Sequence, residues 1–283
     1  MSVAVSFLAV PIITIIAVLM WRWTDIYLER KTWRQITEAS AEKNEVFESS
    51  MLDGLPEPAR RYFLYMIKPG TELNSVVEIW MTGEMGLGNK QNPKYGPMRG
   101  HQILAPPCGL VWRMMSKQGA VRISGSDGFC KTRSWTRFWL FGLVPIVRVG
   151  GGVDHARSAF GRVAAEAAFW APAALLPHKG ATWESLGENT ARVTIHCFEF
   201  RQAVDVTVDT MGRPVMVTLD RWSNANSDHI YRLQPFGGYL SNFKEFSGFK
   251  LPTYVEGGNF IGQEAYFPFY KANVVDLRIL SGQ

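Results

Sequence analysis

The N-terminal stretch constrains the fold of this chain more than any other part of it. From Met1 to Trp21 no side chain is ionisable, and the polar residues are limited to Ser2, Ser6 and Thr14. At a rise of about 1.5 Å per residue, about twenty apolar helical residues cross a hydrocarbon core of about 30 Å. The sequence therefore predicts a transmembrane anchor over residues 1–23. Its predicted membrane-contacting residues are Phe7, Leu8, Ile12, Ile13, Ile15, Ile16, Leu19, Trp21 and Trp23.

The residues at the end of this apolar run are typical of a membrane boundary. Trp21, Trp23 and Tyr27 match the belt of aromatic side chains found where a helix leaves the bilayer. A cleaved secretory signal would carry Lys or Arg before its apolar core and a small-residue cleavage site after it. This sequence has neither feature. We therefore expect the segment to stay attached to the domain that follows.

The basic side chains nearest to the apolar run all lie on its C-terminal side, at Arg22, Arg30, Lys31 and Arg34. By the positive-inside rule this arrangement predicts a single-pass protein of the cell inner membrane with its domain on the cytoplasmic side. The periplasmic side stays open as the alternative, because a single helix followed by a long domain can break the rule.

Charge and motif content exclude several classes of function. The 30 Lys and Arg residues are spread along the chain and are nearly balanced by 25 Asp and Glu residues. Without a dense basic block, the sequence predicts no nucleic-acid partner. No histidine pair has metal-ligand spacing, and neither a nucleotide loop nor a hydrolase nucleophile motif is present. We therefore expect no metal, no cofactor and no enzymatic activity, with an enzyme of unrecognised site as the least favoured hypothesis.

The three cysteines, Cys108, Cys130 and Cys197, lie far apart in the sequence. An odd number without metal-ligand spacing argues against both a disulfide framework and a zinc site. This cysteine content fits a reducing compartment, and one disulfide with one free thiol stays open as the alternative.

After a predicted juxtamembrane helix and linker over residues 24–54, the pattern of apolar residues becomes twofold from Ser75 onward. Such alternation is typical of half-buried strands, and Asp209 to Gly212 has the composition of a hairpin turn. Many short strands joined by tight turns predict an antiparallel sheet that curls into a barrel or half-barrel. Further predicted strands lie at Arg99–Leu104, Leu110–Met115, Ala120–Ser124, Arg192–Cys197, Val204–Val208, Val215–Leu219, Tyr239–Phe246, Leu251–Val255, Gln263–Tyr270 and Ala272–Leu280. The predicted fold class is mainly β (α+β), with the half-barrel domain spanning residues 55–283.

One helical insert interrupts the strands, over residues 154–171. Asp154 is its predicted N-cap and Pro172 ends it. We expect this helix to lie across the concave face of the sheet. The favoured interpretation of Glu166 is a solvent-facing residue on an amphipathic helix. If Glu166 were buried, its carboxylate would need a cationic partner, for which the candidates are Arg113, Arg122 and Arg192.

The stretch from Trp135 to Val149 is the most apolar one outside the predicted anchor. It is too short to span a membrane, and charged and turn-forming residues interrupt it. Buried sheet core is the favoured interpretation. A wall of a ligand cavity and a surface touching the bilayer are the alternatives.

Several stretches together resemble an uncharacterised bacterial domain family. They are Leu55–Tyr62 (LPEPARRY), Phe141–Pro145 (FGLVP), the helix around Ala165–Ala167 leading to Trp170–Pro177 (WAPAALLP), and Asn242–Pro252 (NFKEFSGFKLP). The last stretch is also similar to a strand–turn–strand of the lipoprotein-carrier (LolA/LolB-like) superfamily. That resemblance implies a curved antiparallel half-barrel with helices on its concave side and an apolar cavity for acyl chains. It transfers no binding residue to this sequence.

Two hypotheses for function follow. In the first, the protein is a membrane-anchored, non-catalytic domain that binds an apolar ligand or lipid in the concave face of its sheet. In the second, it is an accessory or scaffolding subunit of a larger membrane protein complex, which it joins through the anchor helix. Membrane lipids are the predicted partners in both, and the sequence does not identify the ligand-binding residues.

Overall fold

The structure, a computed structural model, describes residues 2–38 and 45–281, with side chains from Ile12 onward. The side chains of Phe7 and Leu8 and the stretch 39–44 of the predicted linker lie outside the described residues. The helices of the described part are α1 (Ser2–Glu38), α2 (Glu57–Met66) and α3 (Val153–Trp170), with short 3-10 turns at Ser49–Leu52, Pro172–Leu175 and Pro177–Lys179.

The strands form one antiparallel sheet. In the described part of the chain they are β1 (Val76–Gly86), β2 (Tyr95–Ala105), β3 (Gly109–Gln118), β4 (Val121–Cys130), β5 (Arg133–Leu140), β6 (Val144–Gly150), β7 (Thr182–Ser185), β8 (Thr190–Cys197), β9 (Phe200–Val208), β10 (Pro214–Ser223), β11 (Arg232–Phe246), β12 (Phe249–Asn259) and β13 (Phe267–Leu280). Their spatial order is β6-β5-β4-β3-β2-β1-β13-β12-β11-β10-β9-β8-β7. The chain therefore builds two meanders, the N-terminal wing (β1–β6) and the C-terminal wing (β7–β13), which meet where β1 pairs with β13.

Burial of alternate residues confirms the predicted twofold pattern in most strands, but the predicted strands Gln263–Tyr270 and Ala272–Leu280 are one strand, β13, which begins only at Phe267 after a turn. In β9, every second side chain from Phe200 to Val208 is buried. The predicted hairpin turn joins β9 to β10, and the backbone N–H of Gly212 donates to the carbonyl of Asp209 at 2.9 Å. The coarse prediction of a mainly antiparallel, open curved sheet with a helical insert is thus confirmed.

A disulfide shows how strongly the sheet curls. Cys108 lies in the turn between β2 and β3, and Cys197 ends β8, yet their Cα atoms are 5.7 Å apart and their sulfurs are bonded. In the sheet order, seven strands separate β3 from β8. The two wings therefore approach each other across α3, where the rings of Phe129, Phe160 and Phe200 pack together.

Helix α3 occupies the concave side of the sheet, as predicted. It connects β6 to β7, which are the two edge strands, and it packs on β9 and β10 of one wing and on β4 and β5 of the other. Small residues allow this close approach: a Cβ added at Gly161 would lie 3.2 Å from Oε1 of Gln202 and 3.3 Å from the Arg221 side chain. Burial between two wings explains why most residues from Phe160 to Trp170 are inaccessible.

The predicted bounds of this helix are shifted by one residue at each end, and the predicted cap is wrong. Gly152 is at the N-cap position, while Asp154 lies in the first turn. The Asp154 carboxylate instead accepts a hydrogen bond of 2.8 Å from Nε1 of Trp222 on β10. A negative charge in the first helical turn still interacts favourably with the helix dipole.

The apolar stretch from Trp135 to Val149 divides into a buried and an exposed half. On β5, Trp135, Phe138 and Trp139 are buried, which confirms the predicted sheet core for that strand. The loop to β6 and β6 itself are exposed because β6 is an edge strand. Exposed apolar side chains here are Phe141, Leu143, Val144, Ile146, Val147 and Val149.

Helix α1 packs on the face of the N-terminal wing opposite to α3. Successive residues of a strand point to opposite faces. On β3, Trp112 lies under the Arg162 side chain of α3, whereas Arg113 bonds Glu29 of α1 at 2.5 Å and stacks on Trp33. A second apolar cluster forms on this face, comprising Ile36, Val76, Ile103, Val111 and Trp135.

Asp25 joins α1 to the edge of the N-terminal wing. Its side chain is buried, with 7% of the residue exposed. It accepts hydrogen bonds from Arg148 on β6 and from Nε1 of Trp139 on β5, and Arg137 lies 3.2 Å away. These contacts anchor the middle of α1 to the sheet.

Among the described residues, no helix combines the length and the apolarity that a membrane crossing requires. The prediction of a transmembrane helix over residues 1–23 is therefore not supported.

Substitution of Asp25 by Asn tests the docking of α1. Removal of this charge leaves two arginines without their anion, so we expect the free energy of unfolding to fall by about 2–4 kcal/mol. Asp228→Asn is the matched control, since the ion pair of Asp228 with Arg232 is exposed to solvent and exposed ion pairs contribute little to stability. Urea denaturation measures both variants. Equal, small effects would show that the Asp25 contacts do not hold α1.

Candidate ligand-binding site

A cavity of about 270 Å³ lies between the C-terminal half of α3 and the sheet. It is partly open, and the strands around it are mainly β10, β11, β12 and β13, with Met85 of β1, Trp112 of β3 and Asp127 of β4 also in its lining. Its walls are mainly apolar and include Phe169, Trp170, Val217, Phe236, Leu240, Val255 and Phe269. Its volume is near the lower end of the range of about 300–1,000 Å³ that is typical of small-molecule sites.

Glycines keep the sheet side of the cavity clear. Gly238 on β11 faces Gly257 on β12 across the ladder. A Cβ added at Gly238 would collide with the backbone carbonyl of Glu256, so the close approach of the strands requires a glycine there. A Cβ added at Gly257 would meet only the carbonyl of Gly237, at 3.6 Å. The absence of a side chain at Gly257 therefore contributes open volume.

A buried ionic cluster forms one end of the cavity. Arg162 of α3 donates to Glu166 at 2.6 Å, to Asp127 of β4 at 2.8 Å and to the Gln102 side chain of β2 at 2.9 Å. Gln102 in turn donates to the second oxygen of Glu166. The carboxylates of Glu166 and Asp127 also set the protonation of Arg162: burial opposes its charge, but the two carboxylates outweigh burial and raise its pKa. The guanidinium therefore stays charged.

The favoured interpretation of Glu166 as a solvent-facing residue is wrong, since only 8% of the residue is exposed. Its cationic partner is Arg162, one turn earlier on the same helix, and not one of the candidate arginines. Arg113 pairs with Glu29 and Arg192 with Asp205, on other parts of the sheet.

Arg221 on β10 is the second arginine at this end of the cavity, and its surroundings differ from those of Arg162. Its Nε donates to the backbone carbonyl of Ser158 at 3.1 Å, and the guanidinium lies over the Phe236 ring, 4.9 Å from its centre. Among the described residues no carboxylate pairs with it. Burial, with repulsion from Arg162, lowers the pKa of Arg221 to about 10. Arg221 is thus a cation without a directly bonded anion.

Two further polar groups adjoin the cluster. Tyr270 lines the cavity and its hydroxyl donates to the sulfur of Met81 at 2.8 Å, while burial raises the pKa of Tyr270. His155 contacts the hydroxyls of Ser134 and Thr136 at 2.7 and 3.1 Å. Burial lowers the pKa of His155, so this imidazole is neutral at pH 7 and serves the packing of α3. The described residues hold no group of three or more His, Cys, Asp and Glu side chains suited to a metal ion.

The predicted membrane-contacting residues lie away from this cavity. Those with described side chains are all exposed on α1: Ile12, Ile13, Ile15, Ile16, Leu19, Trp21 and Trp23. The Arg148 guanidinium lies over the Trp21 ring at 4.3 Å and so links α1 to β6. The exposed apolar residues of α1 and those between Phe141 and Val149 are therefore neighbours on one end of the molecule, which we call the apolar end.

The residues that form the cavity are not recognisable from the sequence. One available signal was the charged pair Arg162 and Glu166, four residues apart in a helix otherwise rich in alanine. Such a pair is typical of solvent-facing helix surfaces, so its burial depends on the sheet on both sides. Gln102, Asp127 and Arg221 come from three strands far apart in sequence, and no local pattern brings them together.

The variant Glu166→Gln tests whether the ionic cluster stabilises the fold. The amide keeps the shape of the side chain but removes the charge opposite Arg162, and hydrogen bonds between charged groups contribute about 1.5–3 kcal/mol. We expect the free energy of unfolding to fall by about that amount. Glu199→Gln, in an exposed turn, is the control and should change it by less than ~0.5 kcal/mol. An unchanged free energy of unfolding in Glu166→Gln would contradict the stabilising role assigned to the pair of Arg162 and Glu166.

No curated protein matches the sequence. Two solved structures are similar in fold. One is a putative outer membrane lipoprotein-sorting protein domain from Vibrio parahaemolyticus, with 12% identity and a TM-score of 0.37, covering 74% of this chain and 87% of that one. The other is a LolA superfamily protein from Nitrosomonas europaea, with 11% identity and a TM-score of 0.38, covering 83% of this chain and 94% of that one. At these TM-scores the likeness supports no argument about function.

The predicted resemblance to an uncharacterised domain family is confirmed by a family model that extends over most of the chain. The match spans residues 45–272, which include α2, α3 and nearly all of the sheet. The chain belongs to DUF6544, a family of unknown function.

Proposed function

We propose that this protein is a non-catalytic domain that binds an apolar ligand or lipid in the cavity between α3 and the sheet. The observation that carries the proposal is the cavity itself, which is partly open and whose walls from Phe169, Val217, Leu240 and Val255 are apolar. Protein interiors are normally close-packed. An apolar space of this kind loses dispersion contacts that a bound hydrocarbon chain would restore.

Filling the cavity should abolish binding. In the variant Gly257→Leu, the new side chain would project into the open volume beside Val255. The uncharged fluorophore N-phenyl-1-naphthylamine reports on apolar sites through its rise in emission. We expect the wild-type protein to bind it, and Gly257→Leu to bind it at least about tenfold more weakly, the equivalent of ~1.4 kcal/mol.

The control is Ser241→Leu, which adds the same side chain at an exposed position of the neighbouring strand β11. It should bind the fluorophore like the wild type. If Gly257→Leu and Ser241→Leu bind equally well, the fluorophore occupies another apolar surface and the cavity is not the site.

The apolar end supports a second part of the proposal, in which membrane lipids are the partner of this surface. Exposed large side chains such as Trp23 and Phe141 are concentrated there, and contiguous exposed apolar surface is typical of sites that contact a membrane or another protein. The same surface favours the alternative candidate, an accessory subunit that packs against a membrane protein complex. In either case we propose that the protein works at the cell inner membrane.

The disulfide favours the periplasmic side, the alternative left open by the flanking charges. Structural disulfides persist in oxidising compartments and are rare in the cytoplasm. Cys108 and Cys197 are bonded, and Cys130 is the free cysteine. We therefore propose that the domain lies outside the cytoplasm.

Counting thiols tests this location. Cells that make the protein are quenched with acid, and the denatured protein is alkylated with a maleimide-linked polymer before any reduction. We expect one polymer addition, at Cys130, and three after reduction. A Cys130→Ser variant should show none before reduction. Three additions without reduction would contradict both the disulfide and the proposed side of the membrane.

A further inference from the structure

Arg221 forms a charged end of the proposed cavity, and some of its N–H donors have no partner among the described residues. A guanidinium has five N–H donors, and the hydrogen bond of Arg221 that the structure describes uses only Nε, toward Ser158. The two terminal amino groups, which form the planar fork that matches a carboxylate or phosphate, have no described partner. Arg221 lines the same cavity as Val217 and Leu240.

The nearby carboxylates are already engaged by other donors. Glu166 accepts from Arg162 with one oxygen and from Gln102 with the other. Asp127 accepts from Arg162 with one oxygen and from the Thr136 hydroxyl with the other. These carboxylates therefore neutralise Arg162 closely and Arg221 only at a distance. Arg221 is partly buried, and removing a cation from water is costly unless it is paired; the lowered pKa of Arg221 is consistent with incomplete compensation.

The cavity thus has two chemically distinct parts. Its greater part is apolar, with Phe169, Leu240 and Val255 as walls, and its other part presents Arg221. A volume of about 270 Å³ is small for a ligand with two long hydrocarbon chains.

We propose that the cavity takes a single-chain amphiphile with an anionic headgroup, a carboxylate or a phosphate, that pairs with the Arg221 guanidinium while its hydrocarbon tail lies against the apolar walls. This inference rests on the proposed function, because it names the class of ligand for the same cavity. In this proposal, Arg221 selects ligands that have an anionic headgroup and sets their orientation in the cavity.

The test compares three ligands that share a twelve-carbon chain: dodecanoate, dodecyl phosphate and dodecanol. Each displaces N-phenyl-1-naphthylamine from the full-length protein in a fixed concentration of non-ionic detergent at pH 7.4. In the wild type we expect the two anions to bind at least about tenfold more tightly than the alcohol. The partition of each ligand into the micelles is measured separately without protein, and affinities are expressed against the free ligand concentration, so that the three ligands can be compared in the wild type.

The informative variant is Arg221→Gln. We expect it to bind dodecanoate, dodecyl phosphate or both about tenfold more weakly, and to bind dodecanol within about twofold of the wild type, because the alcohol makes no ion pair. The anion that loses more identifies the headgroup that fits better. Arg157→Gln is the matched control: Arg157 is on α3 and stacks on Trp222 of β10, but it does not line the cavity, so all three affinities should stay unchanged.

Failure of this inference and failure of the proposed function give different results. If none of the three ligands displaces the fluorophore from the wild type, apolar binding itself is contradicted. If all three bind the wild type equally, or if Arg221→Gln weakens none of them selectively, the headgroup assignment is overturned while apolar binding stands. Should Arg221→Gln fail to fold, Arg221→Lys keeps the charge without the fork and should retain a reduced preference for the anions. In that case the wild type decides: if it binds the two anions no more tightly than dodecanol, the headgroup assignment is overturned.

Discussion

The architecture depends on the hydrogen bonds of Arg162, because this guanidinium connects elements that are far apart in the sequence. It bonds Glu166 on α3, Asp127 on β4 and Gln102 on β2. A buried guanidinium is tolerated only when its charge and its donors are satisfied. These hydrogen bonds therefore fix the position of α3 relative to the N-terminal wing. From the C-terminal wing, Arg221 reaches the backbone of the same helix at Ser158.

The cavity follows from the way in which α3 packs between the two wings of the sheet. Next to the small residues of α3, such as Gly161, the sheet approaches closely. Farther along the helix, the ring of Phe169 lines the cavity, and so does Gly257, which places no side chain in it. At one end of the cavity, the hydrogen bonds of Arg162 to Asp127 and Gln102 connect the helix to the N-terminal wing.

Periodicity predicted the strands and the helical insert because burial alternates locally, as β9 shows from Phe200 to Val208. It failed for Glu166, because the usual rule for amphipathic helices assumes one solvated face, and α3 has sheet on both sides. The bond between Cys108 and Cys197 joins residues 89 apart, and only the curvature of the whole sheet brings them together. Long-range geometry of this kind leaves no local trace in a sequence.

The disulfide and the cavity lie at different places in the curled sheet. At one end the disulfide from Cys108 to Cys197 joins the wings covalently, and the rings of Phe129, Phe160 and Phe200 fill the space between them. The cavity lies instead beside the later turns of α3, mainly under β10, β11, β12 and β13, and Met85, Trp112 and Asp127 of the N-terminal wing also line it. Neither the disulfide nor the three rings of the aromatic cluster lines the cavity. The two wings are therefore joined at a place separate from the cavity, and at the cavity itself the hydrogen bonds of Arg162 connect α3 to the N-terminal wing.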